Sequence, residues 1–168
     1  MRQSRNHNRV GGLGAIVLSG MLIGCGATNA HPNVDEAAMS TTLCAIQHVT
    51  PLQMISQQRE ALPDDIEPTA QQMMADYLLL GQGLEEIQKK HPDQMPTPRE
   101  MHTDERIQNL SKTMIDQYYD DPLTAFTDHA AISARAACMD EFRRIAESLK
   151  LENTDELSAA NRKKLGRE

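Results

Sequence analysis

The 168-residue chain has no tryptophan, and its three tyrosines and two phenylalanines are the only other aromatic residues. A core with so few rings must come from Leu, Ile, Met and Ala. That mix favours packed helices over a sheet, whose characteristic residues are β-branched or aromatic. Equally absent are Gly-x-Ser-x-Gly, a glycine-rich phosphate loop, His-Glu-x-x-His and Cys-x-x-Cys. These absences argue against a nucleophile-elbow hydrolase, a nucleotide-binding loop, a zinc protease and a thioredoxin-like redox centre. Paired acids occur at Asp64-Asp65, Glu85-Glu86, Asp120-Asp121 and Asp140-Glu141. Helical neighbours point about 100° apart and do not converge on one bond. Asp128-His129 is a dyad without a nucleophile. No enzymatic activity, no cofactor and no resident metal are expected.

Long apolar stretches are also missing. The longest, Val10 to Ile23, has 14 residues, short of the roughly 20 that span a bilayer. It follows an N-terminal segment with Arg2, Arg5 and Arg9 and no acid, and it ends in Leu22-Ile23-Gly24-Cys25. A positive segment, a short apolar segment and a small residue before the last position form a secretory signal. The tetrad resembles the lipobox of bacterial lipoproteins. That resemblance implies a thioether between the Cys25 sulfur and a diacylglyceryl group, cleavage before Cys25, and acylation of the freed amine. Two or three chains anchor a protein stably where one does not. Gly26, rather than Asp, after the cysteine implies sorting to the periplasmic face of the outer membrane in a Gram-negative host. Cleavage after Thr28-Asn29-Ala30 is the alternative, and it would release a soluble periplasmic protein.

Either route leaves Cys44 and Cys138 as the remaining pair, which suits a disulfide in an oxidising compartment. Removing residues 1–24 leaves 144 residues with 14 basic against 24 acidic side chains, a formal net charge of −10. Such a surface disfavours nucleic acid and anionic lipid. The length suits one domain.

Prolines then punctuate the chain. Thr50-Pro51, Glu67-Pro68, Thr97-Pro98 and Asp121-Pro122 each place a capping residue before a proline at a first helical position. Thr50 with Gln53, and Thr97 with Glu100, form capping boxes, with Asn33–Glu36 and Asn153–Glu156 as weaker versions. The pattern predicts helices near 34–49, 51–62, 68–91, 98–119, 122–150 and 154–165. Apolar stripes run through Met73, Tyr77, Leu80, Leu84 and Ile87, and through Ile107, Leu110, Met114 and Tyr118. A third takes in Leu123, Phe126, Ala130, Ala134, Ala137, Cys138, Phe142, Ile145 and Leu149. Gly81 and Gly83 either kink the third helix or let another helix approach closely. Soft donors His91, Met95, Met101 and His102 flank the loop 91–98, though without a Met-x-x-Met repeat.

The reading that follows is all-α: a small disulfide-pinned bundle of about five to six helices. Residues 1–24 would be the signal peptide, 25–32 a lipidated tether, 33–150 the helical domain, and 151–168 a short helix or tail ending in the basic Arg162, Lys163, Lys164 and Arg167. In anchor, size, helicity and paired cysteines the chain is similar in design to the pilotins, lipoproteins that cradle a helix of a secretin subunit. No residue is carried over from that family. The similarity implies a membrane tie through lipid and an envelope protein partner held in a groove. The alternatives are a structural or stress-response envelope lipoprotein without a groove, and a periplasmic copper binder. An exposed apolar groove would favour the first reading and a wholly polar surface the second.

Overall fold

The computed structural model describes residues 33–58, 61–152 and 160–161. The signal segment, Cys25, the tether and the basic tip lie outside them. The described residues form an all-α bundle pinned by a Cys44–Cys138 disulfide. Its elements are α1 (Val34–Gln58), α2 (Glu67–Lys90), a 3₁₀ turn (Pro92–Gln94), α3 (Pro98–Thr103), α4 (Glu105–Tyr118), α5 (Thr124–Thr127) and α6 (His129–Ser148).

Helix α1 is the hub, with α2, α4 and α6 packed along it. Contacts fix the directions. Val34 and Ala37 meet Ile87 and Ile145 at one end, and Met54 and Ile55 meet Ala70, Met73 and Phe126 at the other, so α2 and α6 both run antiparallel to α1. Arg106 pairs with Glu36 at 3.0 Å while Met114 and Tyr118 pack with Met54, so α4 runs parallel to it. Between the two ends lies a middle layer of Cys44, Ala45, Leu79, Leu80, Met139 and Phe142. Methionine at 73, 114 and 139 is core filler, as expected of a chain short of rings.

The helices join or divide otherwise than expected at three places, and Glu67 and Asp121 are not the caps expected of them, since the N-cap positions fall at Ile66 and Leu123. No break occurs at Thr50-Pro51: α1 runs through Pro51, which is fully buried. Proline inside a helix costs about 3 kcal/mol, but continuation buries Met54 and Ile55, each worth about 1.5–3 kcal/mol. The predicted 98–119 helix is instead α3 and α4, divided at Asp104. That residue is extended (ψ 125°) and its side chain accepts from the Arg106 N–H at 2.8 Å. The predicted 122–150 helix likewise divides at Asp128 (ψ 118°), which accepts from the Ala130 N–H at 2.9 Å. Both aspartates act as N-caps inside an otherwise helical pattern. The Thr97–Glu100 capping box does form, with Glu100 N–H to Thr97 Oγ1 at 3.2 Å and Thr97 N–H to Glu100 Oε2 at 2.7 Å.

Helix α6 buries part of the expected stripe, with Phe142 and Ile145 inside and Cys138 and Leu149 half-buried. Its buried residues are Arg135, Met139, Phe142, Ile145 and Ala146, whereas Ala130, Ala134 and Ala137 of the expected stripe are exposed. Helix α2 passes through both glycines without ending. A Cβ on Gly83 would lie 2.5 Å from Phe142 Cε2, and one on Gly81 would meet nothing within 4 Å. Gly83 therefore serves close packing of α2 on α6. At the far end of α6, Lys150 adopts a left-handed φ of 51°, with Leu151 N–H on Ala146 O at 2.9 Å and Lys150 N–H on Glu147 O at 3.2 Å. This is a Schellman stop carried by a lysine where glycine is usual. Of the predicted 154–165 helix, residues 160–161 are described and helical, and Asn161 donates to Gln82 Oε1 at 3.1 Å.

Candidate functional site

The chemistry of the domain concentrates where α1, α2 and α6 meet. Cys44 and His48 are four residues apart on α1 and so share a face. Cys138 and Met139 come from α6. The Cys44 and Cys138 Cα atoms are 5.5 Å apart, and the bond between them closes 94 residues of sequence. In the chain-entropy model a loop of that length is worth about 4.7 kcal/mol against the unfolded state. The same cluster holds His48, whose side chain is almost wholly buried. Its Nδ1 lies 2.9 Å from the Cys44 carbonyl oxygen and 4.0 Å from Cys44 Sγ. On its other edge Nε2 sits 3.7 Å from Asp76 Oδ2 of α2. Met139 Sδ is 3.9 Å from Cys44 Sγ.

Burial pushes the His48 proton affinity below its ordinary value, against the backbone bond to Cys44 and the Asp76 carboxylate, which pull it up; Arg135 adds to the depression. Arg135 itself is only 6% exposed. Its Nη2 donates to the Ala125 carbonyl at 3.0 Å, and no carboxylate lies within 4.0 Å of it among the described residues. Burial lowers its affinity for its proton, offset by Tyr118 and Asp128. Tyr118 donates to Asp128 Oδ2 at 2.8 Å. Burial first, then that bond, pushes the phenol up to about 12. Asp128 is held below the ordinary carboxylate range by the Tyr118 hydroxyl and the Ala130 N–H. The Asp128-His129 pair is thus a helix cap followed by an exposed histidine, with the Asp128 carboxylate committed to structure.

Two depressions flank this cluster. One, of about 390 Å³, is a half-open cleft with apolar walls from Met73, Phe126, Ile132 and Met139 and a polar set of His48, Asp76, Arg135 and Arg143. Ile132 on its rim is 44% exposed. The other, of about 410 Å³, runs between α1 and α6 and is lined by both cysteines. Of the sequence-predicted site residues, Cys44 and Cys138 are brought together and Cys25 lies outside the described residues. The soft donors around the 91–98 loop are employed separately. Met95 packs against the Val34 and Ile87 layer, Met101 Sδ accepts the Thr42 hydroxyl at 3.7 Å, and His102 is exposed.

His48, Asp76, Arg135 and Met139 are the residues that sequence reasoning did not single out. Signals for three of them were present: His48 is one helical turn after Cys44, Met139 adjoins Cys138, and Arg135 is one turn before it. Nothing in the sequence set Asp76 apart from other surface acids. No known protein family, characterised protein or solved structure matches the chain.

Proposed function

We propose that this chain is a bacterial lipoprotein held at the periplasmic face of the outer membrane through Cys25, and that its helical domain works by binding another envelope protein. The observation that carries the reading is the Cys44–Cys138 disulfide, set in the core of a bundle whose sequence also bears the Leu22-Ile23-Gly24-Cys25 tetrad. A disulfide is at home in an oxidising compartment, and a lipobox leads to one. The half-open cleft with Ile132 on its rim supports protein binding over a purely structural role, because apolar surface beside fixed polar groups is what a partner helix needs. The cleft would take apolar side chains at helical spacing between Met73, Phe126 and Ile132, with Arg135 and Arg143 facing polar groups of the partner.

The test places a photo-crosslinking residue at exposed position Ala136, on the cleft wall, in the full-length chain within its own envelope. One discrete adduct is expected, lost when Ile132→Asp is added while circular dichroism stays unchanged. An adduct pattern indifferent to Ile132→Asp, or none at all, would remove the binding role.

A further inference from the structure

We propose that reduction of the Cys44–Cys138 disulfide converts this junction into a site for monovalent copper, with the two cysteine thiolates, a ring nitrogen of His48 and the Met139 thioether as ligands. The donors are already assembled. One ligand atom from each of Cys44, His48 and Cys138 lies within 4.8 Å of the others, and Met139 Sδ is 3.9 Å from Cys44 Sγ. With metal–sulfur bonds of about 2.3 Å, tetrahedral sulfur ligands sit roughly 3.8 Å apart. Spreading the two sulfurs that far requires side-chain rotation across a Cα separation of 5.5 Å, with α1 and α6 otherwise in place.

Softness selects the ion. Two thiolates, a thioether and an imidazole suit Cu(I), while the Asp76 carboxylate stands behind the ring and not among the sulfurs. There it orients the ring: a proton on Nε2 directed at Asp76 leaves Nδ1 to ligate the metal in exchange for its contact with the Cys44 carbonyl. A depression borders the cluster on each side. The depression between α1 and α6 is lined by both cysteines, Cys44 buried and Cys138 half-buried, and the cleft on the other side is lined by His48 and Met139. A dithiol reductant attacks the sulfur of Cys138, the less buried of the two cysteines, and the S–S bond breaks. The second reductant thiol then resolves the mixed disulfide. The reductant leaves as a disulfide, and its two electrons and two protons stay on Cys44 and Cys138. Cu(I) displaces those two protons on binding. This inference stands on the bundle alone and is independent of the protein-binding reading.

The experiment uses the full chain carrying Cys25→Ser, reduced with a phosphine and titrated anaerobically with Cu(I) against a chromophoric chelator. The reduced chain is expected to take one equivalent. X-ray absorption should show sulfur ligands plus one imidazole, and the oxidised chain should bind at least tenfold more weakly. His48→Leu and Met139→Leu, each helical by circular dichroism, should lower affinity at least tenfold, with the imidazole signature gone in the first. Equal affinity in oxidised and reduced chains, or in wild type and both variants, would overturn the site. So would loss of helical signal in the reduced chain with Cu(I) present.

Discussion

Gly83→Ala and Gly81→Ala make the same chemical change two residues apart in one helix, and the packing around them predicts opposite signs. In an exposed helix interior alanine is about 1 kcal/mol better than glycine. At Gly81 nothing lies within 4 Å of the new methyl, so Gly81→Ala should stabilise by about 0.5–1 kcal/mol. At Gly83 the methyl would sit 2.5 Å from Cε2 and 2.6 Å from Cζ of Phe142, well inside contact distance. The ring has little room to yield. It is 1% exposed and packed among Leu80, Cys44 and Met139, with the disulfide holding α6 to α1. Overpacking of this kind costs about 1–3 kcal/mol. After the propensity gain, Gly83→Ala should be destabilising by up to about 2 kcal/mol, and the two variants should differ by the overpacking cost itself, about 1–3 kcal/mol. Urea unfolding followed at 222 nm without reductant measures both. Adding Phe142→Leu to Gly83→Ala should recover part of the loss by shrinking the obstructing side chain. A Gly83→Ala chain as stable as Gly81→Ala would refute the close approach of α2 and α6.

Three further outcomes follow from the same geometry. Lys150→Gly should stabilise by about 1 kcal/mol, because it relieves a left-handed lysine and keeps the backbone bonds of the Schellman stop; the urea midpoint reads it, and a decrease would show that the lysine side chain matters more than its φ. His48 has its proton affinity depressed by burial, so the unfolded chain binds that proton more readily than the folded one. The resulting stability is complete above an ordinary histidine value near 6.5 and is lost as pH falls through the folded value. Unfolding free energy should therefore decline on acidification from 6.5, by at most about 1.4 kcal/mol per pH unit, and His48→Gln should flatten that slope; an unchanged slope would assign it elsewhere. Tyr118, with its phenol at about 12, should still hold its proton at pH 11 in an ultraviolet titration of the folded chain, and Asp128→Asn should bring its ionisation to lower pH.

Helical class, methionine filling and the cysteine pair were all legible, because each rests on residue types that have few other uses in a chain of this kind. The Thr97–Glu100 start was legible for the same reason: hydroxyl, proline and glutamate act within one turn and need nothing from the rest of the fold. Pro51 was misleading. A local rule predicts a helix start there, but burial of Met54 and Ile55 against α2, α4 and α5 is a long-range gain that a local pattern does not contain. Asp104 and Asp128 sit within runs that continue the helical periodicity on both sides. Their capping roles emerge only when Arg106 N–H and Ala130 N–H turn toward them. The expected stripe on α6 was drawn too wide: one face takes Arg135, Met139, Phe142 and Ile145 inside and leaves Ala130, Ala134 and Ala137 outside. The site around His48 was half written in the spacing Cys44-x-x-x-His48. Its other half, Asp76 and Met139, comes from two helices that only tertiary packing brings together.

Intact-mass spectrometry decides whether the chain is the lipid-anchored domain we propose, with the Cys44–Cys138 bond in its resting form. The protein would be extracted from envelope membranes in detergent, with free thiols alkylated under denaturing, non-reducing conditions before analysis. The expected species is a chain beginning at Cys25, increased in mass by a diacylglyceryl group and an amine-linked acyl chain, with neither Cys44 nor Cys138 alkylated. An unmodified chain beginning at His31, or a chain retaining residues 1–24, would contradict the anchor. Alkylation at both Cys44 and Cys138 would contradict the pinned bundle.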